Sequence, residues 1–234
     1  MLVSPLRYPG GKAKLFDFFI NVLQHNQVRD CHYCEPYAGG AGLALKLLST
    51  GLVERVSLND VDEAIWAFWI SALQHNKELC RLIETAILNI EEWHRQREIW
   101  RAKDTGNILA LGFATFYLNR TNRSGIIEGA GPVGGYAQSG KWRLDARFDR
   151  EKQSASVRAL APFQSRIAVS QLDALEFINS SFSDPEALTY LDPPYYVKGS
   201  KLYRNSYSHG DHLAVGGAVK NHRNSRWVVS YDAV

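Results

Sequence analysis

Apolar positions along this chain fall into short runs divided by glycine turns and polar stretches, and the spacing within each run predicts an element. Ala13-Lys-Leu-Phe-Asp-Phe-Phe-Ile20 repeats at helical intervals just after Gly10-Gly11-Lys12. Tyr33 and Cys34 read as a strand, Gly39-Gly40-Ala41-Gly42 as a tight turn and Leu43 to Leu48 as a helix. A second strand, Arg55-Val-Ser-Leu-Asn59, ends at Asp60. From Val61 to about Asn119 the pattern is mainly helical: Ile65, Trp66, Trp69 and Leu73, then Leu79 to Trp100, then Ile108 to Leu118. Rings at three-to-four spacing are core positions, so Trp66, Trp69 and Phe113 are assigned to packing.

After an irregular glycine-rich stretch, the pattern predicts a helix at Ser154–Leu160 and strands at Arg166–Ser170 and Ala187–Leu191. A helix at Asp211–Val219 and a strand at Trp227–Tyr231 follow, with His209 and His212 as capping or surface residues. Strand, glycine turn, helix, strand is the opening of a nucleotide-binding α/β sheet. The long helical run breaks that alternation and reads as an insertion. The expected organisation is a core of 1–60 and 165–234 and an inserted helical and loop region of 61–164.

Composition narrows the class. With 234 residues, 45% hydrophobic and 22% charged, the chain can bury a sizeable core. It has no 18-residue apolar run and no signal-peptide pattern, so a soluble intracellular protein is expected. Three cysteines fit a reducing compartment, and Cys31-His-Tyr-Cys34 has metal-like spacing but no second pair, so core thiols are expected and no metal. The net charge of +3 says little, but 119–166 holds nine Lys or Arg against four Asp or Glu. That basic, ring-dotted, glycine-rich segment suits a nucleic-acid duplex, with a solvated loop as the plain alternative.

The run ending at Asp192-Pro193-Pro194-Tyr195 carries the sharpest chemistry. A carboxylate and a backbone carbonyl accepting both N–H bonds of an exocyclic amine would make that nitrogen more nucleophilic. Proline holds such a carbonyl still, and Tyr195 can stack on a planar base. Read alone, the same residues are an ordinary strand exit. Lys12 after two glycines can cradle an anion, though Leu6 and Ala13 exclude a phosphate-binding P-loop. The turn following Glu35-Pro36 departs from the dinucleotide fingerprint at Leu45, which disfavours a nicotinamide oxidoreductase. Asp60, eighteen positions beyond Gly42, is placed to accept hydrogen bonds from ribose hydroxyls or to cap a helix. Asp173 is placed to meet an adenine amino group or to cap.

Together, Tyr8-Pro-Gly-Gly-Lys12, Glu35-Pro-Tyr-Ala-Gly-Gly-Ala-Gly42, Asn59-Asp60, Tyr117-Leu-Asn-Arg-Thr121 with Ser124-Gly125, and Asp192-Pro-Pro-Tyr195 resemble the Dam-like, D12-class alpha group of DNA adenine-N6 methyltransferases. The resemblance implies a Rossmann-like, S-adenosylmethionine-dependent core with an inserted, mainly helical target-recognition region. It implies cofactor contacts from Tyr8, Lys12, Glu35, Pro36, Gly39, Gly40, Gly42, Asp60 and Asp173. Asp192, Pro193, Pro194 and Tyr195 would hold the target adenine. Asn119, Arg120, Arg123, Ser124, Lys141 and Arg143 would contact double-stranded DNA.

The resemblance further implies a monomer in a bacterial or phage-infected cytoplasm, in a restriction-modification or related role, with no membrane and no metal. The expected reaction is direct transfer of the sulfonium methyl to N6 of an extruded adenine. A cytosine-C5 route needs a thiol nucleophile, and no cysteine follows Cys80. Cytosine-N4 transfer is an alternative. Relatives generally continue beyond the point at which this chain stops, Val234, which makes a catalytically impaired methyltransferase-like DNA binder the other alternative.

Overall fold

Five strands, all parallel, form one sheet: β1 (His32–Glu35), β2 (Arg55–Asn59), β3 (Ile167–Ser170), β4 (Ala187–Leu191) and β5 (Arg226–Val229), in spatial order β3-β2-β1-β4-β5. The structure is a computed structural model describing residues 1–7, 11–194 and 207–231. Contacts divide the chain into two compact units, the first holding Met1, Lys12–Asp62 and Arg166–Val234, the second Leu2–Gly11 and Glu63–Ser165.

In the first unit both faces of the sheet are covered, as a parallel sheet requires. Tyr33, Glu35, Tyr190 and Asp192 alternate onto one face. There Phe19 of α1 (Phe16–His25) meets the rings of Tyr33 and Tyr190 edge-on, at 5.8 and 5.1 Å. On the other face Phe177 of α8 (Ala174–Phe182) packs with Cys34 and Ala187, while Ile178 and Phe182 pack with Leu191 and with Val215 of α9 (His209–Asn221). Burial pushes the Cys34 thiol up to about 12. His32 is hydrogen-bonded to Asp184 at 2.8 Å and to Ser57 at 2.7 Å, so it ties three chain segments at the amino end of the sheet.

The carboxyl ends of β1, β2 and β3 are joined by one side chain. Asn59 is fully buried and makes four hydrogen bonds: its Nδ2 donates to the carbonyls of Pro36 and Leu172, both at 3.1 Å, and its Oδ1 accepts from Ser170 Oγ and from the Leu172 N–H, both at 2.8 Å. Strand order reverses between β1 and β4, which opens the crevice where ligands of such sheets bind.

The second unit is helical: α3 (Glu63–Gln74), α4 (Asn76–Glu84), α5 (Ile90–Ala102), α6 (Ile108–Thr121) and α7 (Arg150–Arg158). Helices α3 and α6 approach closely at Gly112, where an added Cβ would lie 2.7 Å from the Ala67 carbonyl. Trp69 and Phe113 are buried as expected, but Trp66 is only half-buried. The run from Leu79 to Trp100 is not one helix; it breaks after Glu84 and restarts where Asn89 accepts the Glu92 N–H. Periodicity carried across the break because the apolar positions on either side stay in phase.

By contacts, residues Leu2–Gly11 group with the helical unit. One other expectation is corrected. His212 is buried between the rings of Tyr207 and Tyr231, and the start of α9 is capped instead by Ser208 and Asp211 bonding reciprocally. No helix among the described residues is long and apolar enough to cross a membrane.

Replacing Asn59 by Leu leaves two carbonyls, an N–H and a hydroxyl without their partner. Denaturant unfolding is expected to show a loss of about 3–5 kcal/mol.

Candidate active site

The candidate site is built at the carboxyl edge of the sheet, where β1 ends in Glu35 and β2, β3 and β4 hand over to loops carrying Asp60, Asp173 and Asp192. Beyond β1 the chain turns through Pro36, Gly39, Gly40 and Ala41 into α2 (Gly42–Ser49). Gly39 and Ala41 both have φ of 45°, which glycine adopts freely and alanine only when its surroundings hold it there. The turn is held from β2: the Ala38 N–H donates to the Asn59 carbonyl at 2.9 Å, and the Gly39 N–H donates to Asp60 Oδ2 at 2.9 Å. Asp60 Oδ1 accepts the Asp62 N–H at 3.0 Å.

Glu35, at the end of β1, is 5% exposed. Its Oε1 accepts the Tyr33 hydroxyl at 3.1 Å, and its carboxyl also takes the Ala44 N–H in the first turn of α2, which has no side-chain cap of its own. Burial raises this carboxyl to about 8, with the charge of Asp192 adding to the rise against the two hydrogen bonds. At neutral pH Glu35 is therefore mostly protonated, a consequence of position that residue type alone does not carry. Asp173 caps α8 by accepting the Leu175 N–H at 2.8 Å and is exposed.

Asp192 follows β4 directly, with Pro193 buried and Pro194 half-buried behind it. Lys12 Nζ lies 2.8 Å from Asp192 Oδ1, and Ser230 donates to the same oxygen at 2.7 Å. Among the described residues both partners meet Oδ1, and Oδ2 keeps its acceptor capacity. Lys12 was expected to hold a cofactor; in the structure its ammonium group meets the Asp192 carboxylate. Ser230 has no counterpart among the expected site residues, since a serine at a strand end carries no signal of its own. Tyr37 and Tyr207 likewise went unassigned, and their hydroxyls are hydrogen-bonded at 2.9 Å. Tyr8 and Tyr195 lie outside the described residues.

The sequence of the chain matches one family, over residues 8–232: the D12 class of N6 adenine-specific DNA methyltransferases. The chain belongs to this family. It is an enzyme that methylates adenine in DNA, and its parallel α/β sheet is the Rossmann-like architecture expected for that class. No curated protein matches the chain. The residues expected to serve the D12 methyltransferase chemistry, Lys12, Glu35, Pro36, Gly39, Gly40, Gly42, Asp60 and Asp192, all belong to the first unit. A hollow of about 660 Å³ lined by Leu23, Gln27, Arg29 and Leu52 lies near the amino ends of β1 and β2, away from these carboxyl groups.

The DNA-facing expectations divide, all within the second unit. Arg123, Ser124, Lys141 and Arg143 are exposed. Asn119 is 2% exposed and its amide is engaged internally: Oδ1 accepts the Arg7 N–H at 2.7 Å, and Nδ2 donates to the carbonyls of Arg7 and Gly125 at 2.6 and 3.0 Å. It braces the N-terminal segment and the loop after α6. Arg120 is half-buried, donates to the Pro5 carbonyl and lies over the Phe116 ring. Asn122, which the sequence pattern did not single out, is buried, accepts the Trp93 indole N–H at 2.8 Å and donates to the carbonyls of Ile126 and Ile127.

Because Glu35 is protonated more readily in the folded chain than in the unfolded one, its contribution to stability is lost as pH rises from its ordinary value of 4.5 towards about 8. Thermal unfolding of Glu35→Gln should show a flatter pH dependence across that window and a higher melting temperature than the parent above pH 8.

Proposed function

We propose that this D12 methyltransferase transfers methyl from S-adenosylmethionine to N6 of an adenine extruded from duplex DNA, at a specific site, with Asp192 as the amine acceptor. The observation that carries the reading is the Asp192 carboxylate at the reversal of strand order, with Oδ1 engaged and Oδ2 able to accept. The residues present suit that cofactor. A left-handed glycine turn permits close approach of a ligand to the backbone, Asp60 places a carboxylate beside that turn for ribose hydroxyls, and Asp173 supplies a further exposed acceptor. When bound, S-adenosylmethionine supplies an electrophilic methyl group.

The rest is done by the chain. Asp192 Oδ2 accepts one N–H of the adenine amine, which opposes delocalisation of the nitrogen lone pair into the ring. The Pro193 carbonyl is the second acceptor, and Tyr195 is the stacking ring. Lys12 sets a positive charge against Oδ1, so the carboxylate is held from the side away from the amine. Bringing the base to these groups costs a few kcal/mol of unpairing, offset by stacking and the new hydrogen bonds. Positioning and preformed electrostatics then supply the acceleration.

The second unit carries the charge for a DNA backbone. Beside the exposed Lys141 and Arg143, it holds Arg7 and Arg120, whose guanidinium charge is disfavoured first by burial and then by a neighbouring arginine, Arg147 for Arg7 and Arg7 for Arg120. Arg120 is lowered to about 10. Arg7 Nη1 and Arg120 Nε have no hydrogen-bond partner among the described residues. A phosphate is the natural complement to that group of like charges. Arg7 and Arg147 were not singled out in the sequence, because their neighbourhood forms only on folding.

Incubating Asp192→Ala with labelled cofactor and adenine-containing duplex should give no methyl incorporation, with cofactor binding retained. Normal incorporation would show that Asp192 is not the amine acceptor. For the DNA side, Lys141→Ala and Arg143→Ala should each weaken duplex binding and lower the slope of log affinity against log salt by about 1.

A further inference from the structure

We propose that Ser230, backed by Tyr190, is a positioning residue for methyl transfer: the pair orients the Asp192 carboxylate so that Oδ2, not Oδ1, meets the adenine amine. The inference rests on Asp192 being the amine acceptor.

The placement comes from the sheet itself. Leu191 pairs with Val229 across β4 and β5, and the Ser230 N–H donates to the Leu191 carbonyl at 3.0 Å, which sets Ser230 beside Asp192. Ser230 Oγ is 2.7 Å from Asp192 Oδ1, and the Tyr190 hydroxyl is 2.8 Å from Ser230 Oγ. An ionised carboxylate only accepts, and a serine has a single hydroxyl proton. That proton therefore goes to Asp192, and Tyr190 must be the donor to Ser230. Direction is fixed along the whole chain of bonds, and each bond polarises the next.

The far end of this chain does not move easily. Tyr190 is 2% exposed and its ring meets Phe19 edge-on, so its hydroxyl is held by the core. Lys12 brings charge to the same oxygen, but on a flexible four-carbon stem with three rotatable donors, which sets no plane for the carboxylate. Ser230 is the donor with a fixed base. Its removal should leave the carboxylate in place and free to rotate, and misaimed acceptors cost turnover more than binding.

The test measures kcat and KM for duplex methylation, cofactor affinity and melting temperature in the full chain. The variants are Ser230→Ala, Ser230→Thr, Tyr190→Phe, the double Ser230→Ala/Tyr190→Phe and Asp192→Ala. Ser230→Ala should lower kcat about tenfold while KM and cofactor affinity stay within about twofold. Ser230→Thr should restore most of the loss. Tyr190→Phe should lower kcat about threefold, and the double variant should be no slower than Ser230→Ala, because the rear link acts only through the front one.

A Ser230→Ala enzyme with kcat within about twofold of the parent, beside an inactive Asp192→Ala, would overturn the relay and leave the role of Asp192 standing. A loss that follows cofactor affinity or melting temperature, or that threonine does not restore, would also overturn it, as a structural effect. Full turnover by Asp192→Ala would overturn the reading of Asp192 and this inference with it.

Discussion

The four hydrogen bonds of the Asn59 amide are the constraint on which the site end of the first unit depends. Parallel strands bring their carboxyl ends to one edge, but they do not fix the loops that leave it. A single buried side chain that donates to the loop after β1 and exchanges bonds with the loop after β3 does so from the end of β2. Asp60, the next residue, then receives Gly39 in a defined position, and the left-handed turn at Gly39 and Ala41 is stable because both sides of it are tied. In a buried setting such a network is either complete or costly, and this one is complete.

Electrostatics at this edge are set by burial more than by residue type. Three acidic residues, Glu35, Asp60 and Asp192, leave adjacent strands, yet they are not equivalent. Glu35 lies under the glycine turn, where loss of water and the nearby Asp192 charge favour its neutral form. Asp192 faces a lysine and a serine, and Asp60 faces backbone N–H groups. One carboxyl thus serves as a buried structural group, one as a brace for the turn, and one is aimed by its neighbours.

The helical unit shows the converse division. Its uncharged polar residues Asn119 and Asn122 are turned inward, where they fasten the N-terminal segment and the loop after α6. Among the described residues Arg7 and Arg120 are half-buried beside other arginines, Arg147 for Arg7 and Arg7 for Arg120. A glycine-rich loop with no regular pattern in sequence is therefore anchored at its base and presents Lys141, Trp142 and Arg143 to solvent.

By itself the sequence determined the element types, the glycine turn, the acidic strand ends and the family, because these depend on local periodicity, on backbone freedom and on short motifs in a set order. It also placed Trp69 and Phe113 in the core and the basic charge in the inserted region. Only the tertiary structure decided which partner each polar group takes. Lys12 meets Asp192 across 180 positions of chain, Asn119 meets Arg7 across 112, and Ser230 reaches Asp192 from the neighbouring strand. The break between α4 and α5 and the grouping of Leu2–Gly11 with the helices are of the same kind. A hydrogen bond or a pKa shift depends on what lies within a few ångströms, and sequence separation says nothing of that distance until the chain has packed.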